Sequence, residues 1–577
     1  MNHTGIDRED SLSPIDEYFA TTMLNLAGET SPTVARLLQL ACAAARHGDV
    51  CIDLKDAGTR SLLASPGITL PVLADMMPAL LKSPLIGDGN ATTPLVMDSS
   101  GRIYLHRFWH TQNRLLKGII AKSTLTDTHS LPDDPVSRAI EVAHHSNFLV
   151  ITGGPGAGKT TLVATVIASL LTQKPELRIA ACAPTGKAAV RLRASLDNSR
   201  VSPMLTDRFS ATVLSRLPRQ VSTIHKLLSP VMHTGKFRYS EDRTLPIDVL
   251  VVDEASMVDL HLMAALFSAV PSDAKIILLG DQSQLASIEP GRVLGDICFA
   301  ARHERPVQNN PVAQSVVTLA GSHRFSQHSD IGQLATAVNT GASDTALRLL
   351  LQPESDELEF VDVEHPDATT KMTSLINTLY LNAAKATDAA QKLRQFDSVR
   401  ILSAVNNGPF GVHALNRMAE AQLEAMGVIR VTGEWYDSKP IMIPQNDYSV
   451  SLFNGDTGVI VSDGGRLWAC FGGDDSQIRR LSVSAMRHPL PAYATTIHKS
   501  QGSEFDHVVL VIPNISPVLS RELLYTAVTR AKRKLTIFSS PDVIRHCVTQ
   551  PTRRAFSLGY HLWGVEENAS PTHHTVT

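Results

Sequence analysis

The chain is poor in cysteine and has no long apolar run. Its six cysteines are scattered along 577 residues with no CxxC pair, which argues against a zinc site and against a disulfide framework. No apolar run approaches the roughly 18 residues needed to cross a bilayer. The opening residues, MNHTGIDREDSLSP, lack the basic-then-apolar order of a secretory signal. We therefore expect buried thiols, no membrane contact and a cytoplasmic protein.

The chain also has no excess of positive charge and few aromatic residues. Lysine and arginine number 53 against 56 aspartates and glutamates, for a net charge of −3, so any nucleic-acid contact must be local or shared with partner chains. Aromatic residues make up 5% of the chain, which disfavours a surface built mainly on base stacking. The length and the 43% hydrophobic content instead indicate a globular protein of three or four domains.

Apolar periodicity divides the chain into a helical first part and two regions of buried strands. Residues 1–125 carry helical spacing and no catalytic signal. In this part, apolar residues recur after Ser31-Pro32 and before Gly48 at Val34, Leu37, Leu38, Ala41 and Ala45. Short runs such as FLVITGG, IDVLVVDE and HVVLVI cluster near 148–280 and 399–540, as buried parallel strands do.

These patterns predict an α/β protein with a helical N-terminal domain and two parallel-sheet domains. The predicted bounds are 1–125, 126–345 and 346–577. Residues 432–490 alternate polar and apolar side chains around Gly and Asp turns, which predicts a small β insertion in the second α/β domain.

A phosphate-binding loop follows the first buried run. FLVITGGPGAGKTT places Gly153-x4-Gly158-Lys159-Thr160 between a strand and the helix TLVATVIASLL. Backbone N–H groups and the helix N-terminus favour phosphate oxygens, Lys159 bridges the terminal phosphates, and Thr160 offers a hydroxyl to Mg²⁺. The predicted ATP-binding residues are Gly153, Gly154, Pro155, Gly156, Ala157, Gly158, Lys159, Thr160 and Thr161.

Two further strands end in polar side chains that suit the same site. IDVLVVDE delivers Asp253 and Glu254 to the carboxyl edge of the sheet, where ligands bind in open α/β folds. Asp253 is predicted to hold Mg²⁺, and Glu254 to orient or deprotonate the attacking water. The run AKIILLG leads to Gln284, for which we predict a role as a γ-phosphate sensor. A polar cap of the loop is the alternative for Gln284.

The tetrapeptide TIHK occurs twice, at Thr223–Lys226 and at Thr496–Lys499. About one repeated tetrapeptide is expected by chance in a chain of this length. The repetition alone therefore predicts nothing, and the motifs around it have to decide.

Taken in order, the motifs resemble those of superfamily 1 helicases, and more narrowly those of the RecD family, the alpha subunits of RecBCD-type exodeoxyribonuclease V. The similarity covers roughly residues 148–540 and extends more loosely to the first 125. The motifs are GGPGAGKTT, APTGKAA (183–189), STIHKLL (222–228), VVDEASMV (251–258), LLGDQSQL (278–285), SHRF (322–325), TIHKSQGSEF (496–505) and LLYTAVTRAKRKL (523–535).

The resemblance implies an ATP-driven DNA motor. Two RecA-like domains would sandwich ATP and travel 5′ to 3′ on one strand threaded from a duplex end, in a heterotrimer with RecB-like and RecC-like subunits that processes DNA ends for double-strand break repair and recombination. The helical domain would dock onto a partner, and the β insertion would be SH3-like. Nothing in this chain indicates a nuclease centre.

The resemblance also assigns residues. Arg324 and Arg530 would reach the γ-phosphate, and Gly502 and Glu504 would lie near the nucleotide. The residues that would contact DNA are Lys187, Thr223, His225, Thr496, His498 and Lys499, together with Asn454 of the FNGDTG phrase in the insertion. Helix caps are the alternative for the two TIHK sites, and a solvated lysine is the alternative for Lys187.

One departure from the family pattern affects nucleotide choice. Such helicases commonly carry an adenine-binding glutamine upstream of the phosphate loop, but residues 131–148 contain none, and Val136 stands in its place. We therefore expect relaxed nucleotide selectivity.

Three other functions fit parts of the sequence. A free-standing helicase of the same superfamily would carry the same motifs without partner subunits. A P-loop kinase or signalling switch would need the phosphate loop alone, which leaves the second α/β domain and Arg530 without a purpose. An inactive scaffold would not need Lys159, Asp253 and Glu254.

Overall fold

The computed structural model describes residues 12–56, 59–60, 63, 73–124, 131–231, 234–299, 310–321, 329–447, 449–450, 452–472, 478–552, 554–555 and 557–563. Within these ranges no helix has the length and apolar content needed to cross a bilayer. The six cysteines are all free thiols, and all but the half-buried Cys42 are buried, as predicted.

The described strands form four sheets. In chain order they are β1 Cys51–Asp53, β2 Ile86–Gly87, β3 Leu95–Met97, β4 Arg102–Leu105, β5 Phe148–Gly153, β6 Ile179–Ala183, β7 Val221–Thr223, β8 Val249–Val252, β9 Lys275–Gly280, β10 Val316–Leu319, β11 Leu358–Asp362, β12 Val399–Ser403, β13 Pro440–Met442, β14 Thr457–Asp463, β15 Arg466–Gly472, β16 Ile478–Ser482, β17 Leu490–Pro491, β18 Ala494–Thr496, β19 Phe505–Val511 and β20 Ala531–Ser539.

Helices cover the sheets and build most of the N-terminal part. In chain order they are α1 Pro14–Ala27, α2 Pro32–Arg46, α3 Leu73–Leu80, α4 His106–Lys122, α5 Pro135–His145, α6 Lys159–Gln173, α7 Gly186–Arg200, α8 Pro203–Thr206, α9 Ala211–Ser215, α10 Ile224–Leu228, α11 Leu260–Ala269, α12 Val293–Ile297, α13 Pro311–Gln314, α14 Asp330–Thr340, α15 Ser343–Leu351, α16 Ala368–Lys385, α17 Ala389–Ser398, α18 Val412–Ala425, α19 Arg521–Val528, α20 Pro541–Thr549 and α21 Leu558–Trp563. Short 3₁₀ turns lie at Ala255–Met257, Val483–Ala485 and His498–Ser500.

The N-terminal part is helical, as predicted, and also contains a small sheet of order β1-β4-β3-β2. The predicted helix is α2. It begins because the Ser31 hydroxyl accepts a hydrogen bond from the Val34 N–H and Pro32 fits the first turn. The sheet was not predicted from the sequence because its strands are two to four residues long, too short to show a period of two.

The first α/β sheet has the order β10-β5-β9-β8-β6-β7, and all of its strands are parallel. Both of its faces are buried. Val150, Leu250 and Leu278 pack into a core shared with α4 and α11. The alternate residues, including Ile151 and Val251, pack into a second core with α5 and α6. Such two-sided burial explains the uninterrupted apolar runs of the sequence.

The second α/β sheet has the order β11-β20-β19-β12-β18 and is also parallel throughout. Leu402 and Leu510 face a core with α14, α15, α19 and α20. Ile401, Val509 and Val511 face a core with α16, α17 and α18. The predicted pair of parallel α/β sheets is therefore confirmed, and the domain bounds near residues 125 and 345 stay predictions.

The predicted β insertion is a five-stranded antiparallel sheet of order β16-β15-β14-β13-β17. It has its own small core, which includes Ile441, Ile460 and Phe471. Tyr436 is 2% exposed and donates a hydrogen bond to Glu420 Oε1 at 2.6 Å. This ring packs into the core that the second α/β sheet shares with α16, α17 and α18, and the SH3-like assignment of the insertion stays a prediction.

Candidate active site and nucleic-acid interface

The predicted phosphate loop is a tight turn between β5 and α6. Gly156 and Gly158 have φ angles of 77° and 85°, a region that side chains other than glycine rarely adopt. A Cβ atom at Gly153 would lie 2.9 Å from the Leu319 carbonyl oxygen, so a larger residue does not fit there. The Lys159 ammonium donates to the carbonyl oxygens of Gly153 and Gly154 at 2.7 and 2.9 Å. The lysine nitrogen therefore lies directly over the loop.

Asp253 and Glu254 follow β8, which is separated from β5 only by β9. Asp253 Oδ1 accepts a hydrogen bond from the Glu254 N–H at 2.9 Å. Glu254 has φ 51° and ψ 41°, which is a left-handed conformation. Residues other than glycine adopt it at a cost in free energy, and such residues are concentrated at functional sites. Burial, and after it the charge of Glu254, raises the pKa of Asp253, against the opposing effect of Lys159 and Arg191.

Asp281 and Gln284 lie in the turn after β9 and are buried. The Tyr525 hydroxyl donates to Asp281 Oδ2 at 3.0 Å, and Gln284 Nε2 approaches the same oxygen at 3.3 Å. Burial raises the pKa of Asp281, although Lys159 and these donors oppose the shift. The Gln284 side chain therefore points toward charged groups at the sheet edge, and no hydrogen bond from it to the backbone of its own loop occurs among the described contacts.

Arg530 joins the two α/β sheets. It is 2% exposed, and its guanidinium donates to Gln284 Oε1 at 2.9 Å, to the Thr526 carbonyl at 3.1 Å and to the Ser503 carbonyl at 3.1 Å. The Leu285 N–H also donates to the Thr526 hydroxyl at 2.9 Å. These contacts place Arg530 beside Gln284, whose side chain contacts Asp281. Gln284 and Asp281 both lie at the edge of the first sheet where the phosphate loop and Lys159 also lie.

Two residues of this cleft were missed from the sequence. Tyr525 contacts Asp281, and a Cβ atom at Gly154 would lie 3.2 Å from its hydroxyl. Arg191 of α7 pairs with Glu504 and donates to the Gly502 carbonyl at 3.0 Å. These partners are 244 and 313 residues apart in the chain, so only the fold brings them together.

The two TIHK segments occupy equivalent places in the two sheets. The first begins at the last residue of β7 and the second at the last residue of β18, and each strand is the edge strand of its sheet. In both segments the threonine hydroxyl accepts a hydrogen bond from the lysine N–H, at 3.2 Å for Thr223 and at 3.3 Å for Thr496. The repeated letters therefore encode a repeated local structure.

The remaining TIHK side chains are also placed alike. The isoleucines are fully buried, the histidines are half-buried, and the lysines Lys226 and Lys499 are exposed. Burial lowers the pKa of His225 and of His498, so both imidazoles are neutral at pH 7 and can each donate one hydrogen bond. Lys226, which was not predicted as a DNA contact, is exposed like Lys499. The helix-cap alternative describes Thr223, which caps α10, whereas Ile497, and not Thr496, is the N-cap residue of the following 3₁₀ turn.

The other predicted DNA contacts lie in different surroundings. The Lys187 ammonium lies 5.6 Å from the centroid of the Phe505 ring, and burial lowers its pKa, so it faces the cleft between the sheets. Asn454 is exposed on the insertion, and its N–H donates to Asn446 Oδ1 at 2.9 Å. Arg324 lies outside the described residues. Val136 packs partly buried against the core beside α6.

Comparison with known proteins identifies the family. The family model described as "RecBCD enzyme subunit RecD, N-terminal domain" matches residues 8–104. An AAA domain model matches residues 137–290 and a UvrD-like helicase C-terminal domain model matches residues 491–538. The RecBCD enzyme subunit RecD of Mycolicibacterium smegmatis is 35% identical, and the alignment covers 96% of this chain and 97% of that protein.

The chain belongs to the RecD family. The RecBCD enzyme subunit RecD of Haemophilus influenzae is also similar, with 34% identity over 80% of each chain. The ATP-dependent RecD2 DNA helicase of Deinococcus radiodurans is 29% identical, but the alignment covers only 48% of that protein. Among solved structures, Bacteroides Pif1 bound to single-stranded DNA covers 72% of this chain and 94% of its own at 14% identity, with a TM-score of 0.36. At this TM-score the match carries no argument about individual residues of the RecD-family chain.

Proposed function

We propose that this chain is the ATP-dependent helicase subunit of a RecBCD-type exodeoxyribonuclease V, which unwinds DNA ends for double-strand break repair and recombination. Membership of the RecD family supports the helicase activity and the type of complex. The mechanism rests on Arg530, which directly precedes β20 of the second sheet and donates a hydrogen bond to Gln284, in the turn after β9 of the first sheet. A nucleotide held at the phosphate loop would thus be contacted by both sheets.

In this proposal the loop from Gly153 to Thr161 binds the phosphates of ATP and Lys159 neutralises the terminal ones. Glu254 orients the attacking water, and Gln284 and Arg530 respond to the γ-phosphate. The Thr160 hydroxyl and the Asp253 carboxylate suit Mg²⁺, because oxygen is the ligand that this ion prefers. Magnesium held there would neutralise charge on the phosphates. Arg324 remains a proposed second arginine.

The two TIHK segments would hold one DNA strand across both sheets. Their exposed lysines and neutral histidines offer donors to phosphate oxygens, which fix position and carry no sequence information. Each segment is attached to one sheet, so a closure of the cleft around Arg530 that moved one sheet against the other would change the distance between them. ATP binding and hydrolysis would therefore alternately raise and lower the affinity of one TIHK segment for the DNA strand relative to the other.

Partner subunits complete the proposal. The match of residues 8–104 to the RecD N-terminal domain supports a heterotrimer with RecB-like and RecC-like chains, in which the N-terminal part docks onto a partner. We propose that this complex acts in the cytoplasm. The similarity to the RecD2 helicase of Deinococcus radiodurans keeps a free-standing helicase as the second candidate. That alignment covers less than half of the RecD2 protein, whereas the M. smegmatis RecD alignment is nearly complete.

Unwinding of tailed duplexes tests the proposal. We expect the purified chain alone to unwind a duplex with a 5′ single-stranded tail and not one with a 3′ tail, in the presence of ATP and Mg²⁺. Strand separation is followed by a fluorophore and quencher on opposite strands, with the same reaction without ATP as control. Unwinding of only the 3′-tailed duplex would refute the proposed polarity. Full activity without retention of partner chains on an affinity tag would favour the free-standing helicase.

A further inference from the structure

The exposed face of α4 carries a row of basic side chains. Arg107, His110, Arg114 and Lys117 are all exposed and follow one another at spacings of three, four and three residues, which places them on one face of a helix. The opposite face of the helix is buried and includes Phe108, Leu115 and Ile119. We call these four exposed residues the α4 stripe. At a rise of about 1.5 Å per residue, the stripe extends for about 15 Å.

Within the part of the chain that the structure describes, the three permanent charges of the stripe form no ion pair with an acidic side chain. Among the described residues, no carboxylate lies within the 4.0 Å ion-pair distance of Arg107, Arg114 or Lys117. An ordinary solvated helix face mixes charges of both signs, and this chain has a net charge of −3. A row of unpaired cations on such a chain creates a local positive potential, which favours a polyanion.

The stripe adjoins the first TIHK segment. The side chain of Thr111, one turn along α4, contacts His261 Nδ1 at 3.2 Å, and the Phe108 ring lies 5.3 Å from the His261 ring. Charge interactions link His261 with Arg107, Arg114 and Asp259, and Asp259 also interacts with His225. Asp259 is engaged as the cap of α11, where Oδ1 accepts the Leu262 N–H at 2.9 Å. His225 and His261 therefore lie between the first TIHK segment and the α4 stripe, and the carboxylates of Asp259 and Glu289 also act on His261.

We infer that the α4 stripe binds the phosphate backbone of the single DNA strand where it passes beyond the first TIHK segment. This inference rests on the proposed function, which places the strand at the two TIHK segments. The stripe would add phosphate contacts that carry no sequence information and would lengthen the site at its N-terminal-domain end. The N-terminal part would thus hold DNA as well as a partner.

Salt dependence of binding measures these contacts. The triple variant Arg107→Gln, Arg114→Gln and Lys117→Gln removes three charges from exposed positions. Affinity for single-stranded DNA falls with salt by a slope of about −0.7 per phosphate contact, so we expect the slope of log K against log salt to weaken by about 2. The loss should appear with oligothymidylates long enough to pass the TIHK segments and not with the shortest ones that bind. A triple variant Lys371→Gln, Lys385→Gln and Arg394→Gln, also at exposed positions, should keep the wild-type slope.

The outcomes separate this inference from the proposed function. Wild-type protein that fails to bind single-stranded DNA contradicts the proposed function itself. Wild-type binding with the same salt slope in the α4 variant on long oligonucleotides overturns the inference. If that variant also loses its partner chains on an affinity tag, an acidic protein surface occupies the stripe instead. Equal thermal midpoints of the variant and wild type establish that the fold is intact, and the single variant Arg114→Gln should change the slope by about 0.7.

Discussion

Replacement of Arg530 by glutamine is expected to lower DNA-stimulated ATP hydrolysis by about 10³-fold or more. A guanidinium that stabilises the charge of the transferring phosphoryl group contributes on the order of 10³ to 10⁵ in rate, and glutamine has no charge. ATP binding should persist because the phosphate loop lies in the other sheet. Hydrolysis is measured by phosphate release at saturating single-stranded DNA, and binding by titration with a fluorescent ATP analogue.

Lysine at position 530 is the matched control for charge. The guanidinium donates to acceptors that include Gln284, Thr526 and Ser503, and one ammonium cannot reproduce that planar set of contacts. Arg530→Lys should therefore recover little activity. Near wild-type hydrolysis in Arg530→Gln, with an unchanged thermal midpoint, would show that this arginine only holds the two sheets together.

Replacement of Lys159 by glutamine is expected to abolish measurable DNA-stimulated ATP hydrolysis. The rate should fall by a factor on the order of 10² to 10³ or more, as it does when other preorganised charge-stabilising groups are removed. The Lys159 ammonium lies over the carbonyl oxygens of Gly153 and Gly154, where it would meet the terminal phosphates. The same phosphate-release assay measures the effect. Lys174→Gln, at the exposed far end of α6, is the control and should keep wild-type rates.

Binding of single-stranded DNA should survive Lys159→Gln, because the TIHK segments lie at other strand ends. This separation distinguishes a lost phosphate contact from a lost fold. Unchanged hydrolysis in Lys159→Gln would exclude the loop after β5 as the nucleotide site of the motor.

Elements with long, uninterrupted patterns could be predicted from the sequence. Strands such as β5 and β8 are buried on both faces, so their apolar runs are continuous and the polar residues at their ends are conspicuous. The spacing of the phosphate loop and the position of Asp253 followed from those runs. The helix α2 was predicted from its helical spacing, since its apolar stripe spans about three turns between a capping serine and Gly48.

Contacts between distant segments could not be predicted. Tyr525 and Arg191 meet Asp281 and Glu504 only because the two sheets face one another, and no local pattern marks either residue. The TIHK repeat was ambiguous for a different reason. A threonine that caps a helix and a threonine that meets DNA have the same local sequence, and the shared edge-strand position appears only in the sheet order. Lys226 is exposed beside His225. It becomes a candidate DNA contact because it occupies the same place in the first segment as Lys499 in the second.

In the proposed motor, nucleotide bound in the cleft between the sheets controls the affinity for DNA. Linkage requires that ATP and ADP then confer different affinities for single-stranded DNA. The direct measurement is the dissociation constant of a fluorescent oligothymidylate with a non-hydrolysable ATP analogue and with ADP, for wild type and for Arg530→Gln. For wild type we expect the two dissociation constants to differ at least fivefold, which corresponds to about 1 kcal/mol of coupling, and for the variant we expect no difference. Equal affinities in both nucleotide states of the wild-type protein would contradict the proposed motor.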